Sequence, residues 1–183
     1  MLGQPQKPNV YIQPILDIND PFLKEPTHKF NFDAPPMPAE QLYEQLKQTM
    51  IANKGLGLSA NQIGYPWSVF VMGDHHNPDQ IAGVFNPTVV HIEDQEWTIE
   101  EGCLSAPGLW VKIKRPKVIK VRFTNPLGKT DTIRLDGMSA RVFLHEYDHL
   151  QGITFKQRAN RYHLEMAQKQ KKKLDKLRKK RVL

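Results

Sequence analysis

Residues 142–150 read Val-Phe-Leu-His-Glu-Tyr-Asp-His-Leu. His145 and His149 stand four residues apart in a stretch with helical periodicity, so both imidazoles project from one helix face, about a turn apart. At this spacing two imidazoles can bind the same metal ion, and Glu146 can act as general base toward water at that ion. The apolar flanks indicate a buried helix, in which these polar groups need partners, rather than a charged surface helix.

The helix that carries these histidines is predicted to run from about residue 137 to 151, with Asp136 as its N-cap and Gly152 as its stop. Another helix is predicted over residues 38–53. The predicted strands are residues 68–72, 81–90 with an interruption at Asn86 and Pro87, 96–99, 111–115, 118–124 and 130–135. Because strands and helices do not alternate, we predict an α+β fold in which antiparallel β-sheets pack around the central helix.

The third metal ligand decides the class of metallohydrolase, because two histidines leave a tetrahedral site one protein ligand short. A metzincin protease would carry a histidine at position 155, which is Phe155, and a thermolysin-like protease would use a downstream carboxylate. The downstream carboxylates are Glu165 and Asp175, and both lie in a cationic tail. Cys103, the single cysteine, lies within Glu-Gly-Cys-Leu-Ser at 101–105 and is the alternative ligand. A buried core cysteine is the competing interpretation.

Three separated motifs together resemble those of the peptide deformylase family, in its bacterial, phage and organellar form. The family motifs are G-x-G-L-A-A-x-Q, E-G-C-L-S and H-E-x-D-H, and the chain has Gly-Leu-Gly-Leu-Ser-Ala-Asn-Gln at 55–62, the cysteine motif at 101–105, and His-Glu-Tyr-Asp-His at 145–149. The resemblance covers residues 15–157. It departs from the family at Ser59, where alanine is usual, and at Trp110, where many bacterial members carry an arginine.

The resemblance implies a metal-dependent hydrolase that removes the N-formyl group from the N-terminal methionine of nascent polypeptides and releases formate. It implies one divalent metal ion, with Fe²⁺ as the physiological ion and Zn²⁺, Ni²⁺ or Co²⁺ as alternatives that the donor set also suits. The implied metal ligands are Cys103, His145 and His149. The implied catalytic residues are Glu146, which moves the proton, and the Gln62 amide and Leu104 backbone N–H, which donate to the formyl oxygen.

Substrate contacts follow from the same motifs. Leu56, Gly57 and Gly102 are expected to lie along an extended peptide, with the glycines letting its backbone pair as an added strand. Met138 and Val142 precede the first motif histidine by seven and three residues, so they share its helix face. We predict that they line the pocket for the methionine side chain; ordinary core packing is the alternative.

Other polar residues are assigned structural roles. Arg115 is expected to pair with Glu101 and to hold the cysteine motif in place, and Asp148 is expected to support the fold rather than the chemistry. The remaining histidines show no ligand spacing and are interpreted as ordinary loop, strand or surface residues: His28, His75, His76, His91 and His163.

The charge is unevenly distributed along the 183 residues. The net charge is +7, and residues 158–183 hold eleven lysines and arginines but two acids. We therefore predict a catalytic domain over 1–157 and a basic helical extension over 158–183 that can bind a polyanion electrostatically. The extension is similar in character to the basic C-terminal helix with which some bacterial members of the family bind the ribosome, and this resemblance implies ribosomal RNA as the partner. A thin apolar stripe is expected on this helix at Tyr162, Met166, Leu174 and Leu177. A solvated terminal helix is the other interpretation.

Targeting signals are not recognised in the sequence. No stretch approaches 18 consecutive apolar residues, so no membrane partner is expected. The N-terminus shows neither a secretory signal pattern nor an Arg-rich transit pattern. The sequence therefore predicts a protein that stays in the cytoplasm.

Overall fold

The structure is a computed structural model and describes residues 12–181. The helices in that range are α1 (Ala39–Ala52), α2 (Met138–Leu150), α3 (Phe155–Arg158) and α4 (Arg161–Arg181). The strands are β1 (Gly57–Ser59), β2 (Val69–Met72), β3 (Ala82–Ile92), β4 (Glu96–Glu101), β5 (Val111–Pro116), β6 (Val118–Thr124) and β7 (Thr130–Asp136). Short 3₁₀ turns occupy Pro21–Lys24, Ala60–Ile63 and Pro78–Gln80.

The strands form two antiparallel sheets. Five of them pair in the order β1-β2-β3-β6-β7, and β4 pairs with β5 in a separate two-stranded sheet. The β6–β7 hairpin closes through a turn at residues 125–128, where the Gly128 N–H donates to the Asn125 carbonyl. The α+β prediction is confirmed.

The larger sheet is buried on both faces, by α1 on one side and by α2 on the other. Val69 and Val71 of β2 pack toward the side that α1 covers. Phe70, between them, points to the other side and meets Phe143 of α2, with ring centroids 5.2 Å apart. Since successive residues of a strand point to opposite faces, a strand buried on both sides is apolar at every position.

Both ends of α2 lie at glycines. The predicted N-cap Asp136 is wrong: that residue ends β7, and Gly137 is the N-cap with φ of 60° and ψ of −127°. Glycine adopts this backbone conformation without the steric penalty of a side chain. The predicted stop at Gly152 is confirmed, because this residue has φ of 71° and donates its N–H to the His149 carbonyl.

Strand β3 is continuous where the sequence predicted an interruption. Asn86 adopts φ of 49°, and the pairing with β6 shifts register between Phe85 and Thr88, which is a β-bulge. The Asn86 side chain pairs with the backbone of Phe30, accepting from its N–H at 2.8 Å and donating to its carbonyl at 2.9 Å. The asparagine and proline therefore mark a bulge that a neighbouring segment stabilises, and the strand does not end there.

Helix α4 is anchored near its start. Leu164 and Ala167 are partly buried against the cluster that contains Val111, Ile113 and Phe155. The members of the predicted apolar stripe are largely exposed and do not form the packing face: Tyr162, Met166, Leu174 and Leu177. None of the helices in the described part of the chain is long and apolar enough to cross a membrane.

Candidate metal centre and cleft

Three candidate ligands meet beside α2. Cys103 comes from the loop after β4, and His145 and His149 come from successive turns of α2. One ligand atom of each lies within 4.8 Å of those of the other two, and Cys103 Sγ lies 3.3 Å from His149 Nε2. A thiolate with two imidazoles is a donor set of catalytic divalent metal sites, which keep a fourth position open for water or substrate. The residues fit one divalent ion.

Glu101 orients the first histidine. Its Oε2 accepts a hydrogen bond from His145 Nδ1 at 3.1 Å, so Nε2 is the ring nitrogen left for a metal. Arg115 donates to both carboxylate oxygens, at 2.6 and 3.1 Å. Burial alone would raise the pKa of Glu101, but the hydrogen bonds from His145 and Arg115 outweigh it and lower the pKa to about 2. The carboxylate is therefore ionised and acts on the metal site through His145.

Arg141 also binds Glu101, a role that none of the sequence motifs predicts. Its side chain is 2% exposed and donates to Glu101 Oε1 at 2.7 Å. It also donates to the carbonyls of Ile113 and Trp97, at 2.9 and 2.8 Å. This arginine joins α2 to both strands of the smaller sheet. Its signal in the sequence is a cation inside an apolar helix, one turn before His145.

The network continues along α2 away from the metal site. Arg115 Nη1 donates to Asp148 Oδ2 at 2.6 Å, and Arg158 donates to both oxygens of the same carboxylate, at 2.6 and 3.0 Å. Asp148 is 4% exposed. Positive and negative groups thus alternate, so each buried charge has an opposite partner, which offsets the cost of removing it from water.

Gln62 lies in the 3₁₀ turn after β1 and is 1% exposed. Its Oε1 accepts hydrogen bonds from the Ser59 N–H and hydroxyl, both at 2.9 Å. Its Nε2 donates to Ser105 Oγ at 3.0 Å and lies 3.5 Å from Cys103 Sγ. Because both ends of the amide are held, its NH₂ group is fixed beside the candidate metal ligands.

Glu146 is 3% exposed, and within residues 12–181 its Oε2 is buried without a hydrogen-bond partner. A Cβ atom on Gly57 would lie 2.5 Å from Glu146 Oε1, so the glycine makes room for the carboxyl group. Burial raises the pKa of Glu146 to about 7, although the charge of His145 opposes the shift. A carboxyl group with a pKa near neutrality can both take up and release a proton.

The two histidines differ in electrostatic environment. Burial lowers the pKa of both, but at His145 the side chains of Cys103 and Glu101 outweigh burial and raise the pKa well above its ordinary value. At His149, burial and the charge of His145 lower the pKa well below its ordinary value. The surroundings thus keep His149 neutral and favour a positive charge beside Cys103, where a metal cation would lie.

A cleft of about 480 Å³ opens above these groups. Its lining includes Cys103, Leu104, Gln62, His145 and Glu146. All five predicted substrate-binding residues line it as well, namely Leu56, Gly57, Gly102, Met138 and Val142. Met138 and Val142 therefore lie at the cleft rather than in a closed core.

Two other histidines lie close to a carboxylate. His75 and His76 follow Asp74 in the loop after β2, and one ligand atom of each of these three residues lies within 4.8 Å of the others. Both histidines lie in a loop, as the sequence predicted. Asp74 and His76 are exposed, whereas His149 is buried, Cys103 and His145 are partly buried, and Glu101 holds His145.

The fold, the candidate Cys-His-His site and the adjacent buried glutamate are typical of a metal-dependent hydrolase. The family model of polypeptide deformylase matches residues 12–165. The chain belongs to the peptide deformylase family, whose members remove the N-formyl group from nascent polypeptides.

Individual relatives agree with this assignment. The chain is 39% identical to a peptide deformylase of Desulforudis audaxviator over 79% of this chain and 92% of that protein. The solved peptide deformylase of Thermotoga maritima superposes with a TM-score of 0.72 at 34% identity, covering 82% of this chain and 99% of that one. The Plasmodium falciparum enzyme gives a TM-score of 0.80 at 25% identity, covering 92% and 97%.

Proposed function

We propose that Cys103, His145 and His149 hold one divalent metal ion and that Glu146 is the general base and acid of deformylation. The observation that carries this proposal is the unpartnered, buried Glu146 Oε2 beside three metal-ligand donors. When bound, such an ion acts as a Lewis acid toward water and the formyl carbonyl. Fe²⁺ is the ion we propose in vivo, and Zn²⁺, Ni²⁺ and Co²⁺ suit the same donors.

Glu146 moves the proton in this mechanism. Its Oε2 accepts a proton from the water that attacks the formyl carbon, and the same oxygen then delivers it to the amine of methionine as the C–N bond breaks. The products are formate and a free N-terminus. The pKa of about 7 suits both transfers, because the group is then neither a strong acid nor a very weak base.

The formyl oxygen gains negative charge as water attacks. The Gln62 Nε2 group is fixed beside Cys103, and within the described residues the Leu104 N–H has no hydrogen-bond partner. We assign both as donors to this oxygen. A fixed donor of this kind lowers the barrier by roughly 3–4 kcal/mol, because it needs no reorganisation during the reaction.

Substrate binding uses the two sides of the cleft. Leu56 and Gly57 lie at the start of β1, and Gly102 lies beyond the end of β4, so an extended peptide between them can pair with backbone on either side. Met138 and Val142 provide apolar surface on α2, one turn apart, for the methionine side chain. Glu101 and Arg115 act indirectly, by orienting His145.

The role of Glu146 is tested with Glu146→Gln, which removes the proton acceptor and keeps the side-chain shape. We expect formate release from formyl-Met-Ala-Ser to fall at least about a hundredfold, with one metal ion per chain retained. Glu25→Gln, at an exposed position, is the matched control. Turnover of the Glu146 variant at the rate of the control would remove Glu146 from the mechanism, and cleavage of an internal peptide bond without formate would indicate an endopeptidase.

We also propose that residues 158–183 form an extension that binds ribosomal RNA, while residues 1–157 carry the chemistry in the cytoplasm, where nascent chains appear. Lys169, Lys172, Lys173 and Lys176 are exposed on α4. Lys171 Cε lies 4.0 Å from the position of a Cβ on Gly108, at the rim of the cleft. A polyanion bound along α4 would therefore bring the cleft close to the emerging chain.

This proposal is tested on the full chain, because Leu164 and Ala167 of the extension pack on the catalytic body. Lys169, Lys172, Lys173 and Lys176 are changed together to glutamine, and ribosome co-sedimentation is measured at low and high salt. We expect binding to fall about tenfold or more at low salt and to depend less on salt. The control changes four exposed lysines elsewhere: Lys24, Lys29, Lys120 and Lys129. Equal binding by both variants would contradict the proposal.

A further inference from the structure

Trp110 exposes a large apolar surface at the mouth of the cleft. It is 61% exposed, more than the other two exposed large apolar side chains that line the cleft, Leu56 at 42% and Met138 at 47%. An indole is among the largest apolar groups that a chain can bury, and an exposed patch of this kind beside a cleft is typical of a binding surface. The ring therefore has unused contact area directly beside the proposed substrate path.

The position of the ring is fixed by strand pairing. Glu101 of β4 pairs with Val111 of β5, so Gly102 and Trp110 face each other one residue beyond the last pair. A Cβ atom on Gly102 would lie 3.1 Å from each of three atoms of the indole benzene ring. The glycine thus lets the ring lie directly against the backbone, one residue before Cys103. Aromatic rings that cover glycines in this way are held in one place on a sheet.

We propose that Trp110 determines substrate preference by binding an aromatic or large aliphatic side chain at the second or third residue of the nascent chain. This inference rests on the proposed function, in which the methionine side chain lies on Met138 and Val142. An extended peptide advances about 3.3 Å per residue and alternates its side chains between two faces. A ring seated one residue from Cys103 is therefore within reach of the residues that follow methionine.

The apolar character of the rim supports this assignment. Leu56 and Met138 add exposed apolar surface around the same mouth. An indole has no formal charge, so it gains from contact with another ring or an aliphatic chain and offers no ion pair to an acidic side chain. If Trp110 served only to cover Gly102, its removal would lower activity toward all substrates by the same factor.

The test compares formate release from formyl-Met-Ala-Ser, formyl-Met-Phe-Ser and formyl-Met-Ala-Phe, with kcat and KM determined separately. We expect kcat/KM for at least one phenylalanine peptide to exceed that for formyl-Met-Ala-Ser by about threefold to tenfold, mainly through KM. Trp110→Ala should bring the ratio close to one, and Trp110→Phe should keep most of it. Leu127→Ala, which removes an exposed apolar side chain on the β6–β7 turn, is the control and should keep the full ratio.

The outcomes separate this inference from the proposed function. A ratio that is near one in the unmodified chain, or that is the same in Trp110→Ala, would overturn the role of Trp110 while formate release upholds deformylation. Absence of formate from all three peptides would instead reject the proposed function. A loss of folding in Trp110→Ala, seen by circular dichroism, leaves Trp110→Phe and Trp110→Leu to decide. Leucine keeps an apolar side chain but removes the ring, so it should lower the ratio more than phenylalanine does.

Discussion

The surroundings of α2 and the helix α4 are both rich in charged side chains, but these are mostly buried around α2 and mostly exposed on α4. Around α2 the charged groups of one network are almost fully buried and bind one another, as Arg141 and Arg115 bind Glu101. On α4 the charges lie in solvent, and the Arg161–Glu165 pair has side chains that are 92% and 51% exposed. An opposite partner offsets the desolvation of a buried charge, and the resulting ion pairs fix the positions of the side chains. Exposed cations stay available for a polyanion.

The largest expected effect comes from removing a buried cation. Arg141→Met should lower the free energy of unfolding by about 3–5 kcal/mol, because Glu101 and two backbone carbonyls lose a donor inside the protein. Urea unfolding at neutral pH measures this loss. A change below about 1 kcal/mol would show that the buried network does not hold the smaller sheet to α2.

The second-largest effect is expected from acid, which should destabilise the buried network. The folded pKa of Glu101 is about 2, against 4.5 for the ordinary carboxyl group. The stabilisation is therefore complete above about pH 5 and is lost as the pH falls from there toward 2, where the folded carboxylate takes up its proton. Between pH 7 and pH 3 the metal-free chain should lose about 2 kcal/mol more than Glu101→Gln does. Urea unfolding measures both losses. If the unmodified chain and Glu101→Gln lose the same free energy of unfolding between pH 7 and pH 3, the low pKa is contradicted.

The smallest effect is expected on α4. Arg161→Met removes a cation of the same kind as in the Arg141 variant, but from an exposed pair between successive helix turns. The free energy of unfolding should change by less than about 0.5 kcal/mol, because solvent screens the pair. A loss comparable to that of Arg141→Met would mean that exposure does not separate the two regions.

The candidate site was largely predictable because its signals are local. The spacing of His145 and His149 places both on one helix face, and Cys103 is the third candidate donor through the resemblance of its short motif to that of the family. The strand Val118–Thr124 was also predicted at its observed bounds. It alternates strongly and ends at a turn whose residues have their own backbone preferences.

What the sequence did not predict depends on contacts between distant segments. Asn86 ends no strand because Phe30, 56 residues earlier, pairs with its side chain. Leu164 and Ala167 of α4 pack against a cluster that includes residues of β5, while Tyr162 and Met166 are exposed. Periodicity identifies a helix with an apolar stripe but does not show which side meets the body.

The proposed metal site is tested by comparing the anaerobically purified chain with Cys103→Ala, measuring bound metal and formate release from formyl-Met-Ala-Ser in the same samples. We expect about one divalent ion per chain and steady formate release for the unmodified protein, and loss of both in the variant, because two imidazoles alone hold the ion weakly. A Cys103→Ala variant that still binds one ion per chain and releases formate at the unmodified rate would contradict the assignment of Cys103, His145 and His149 as the metal site.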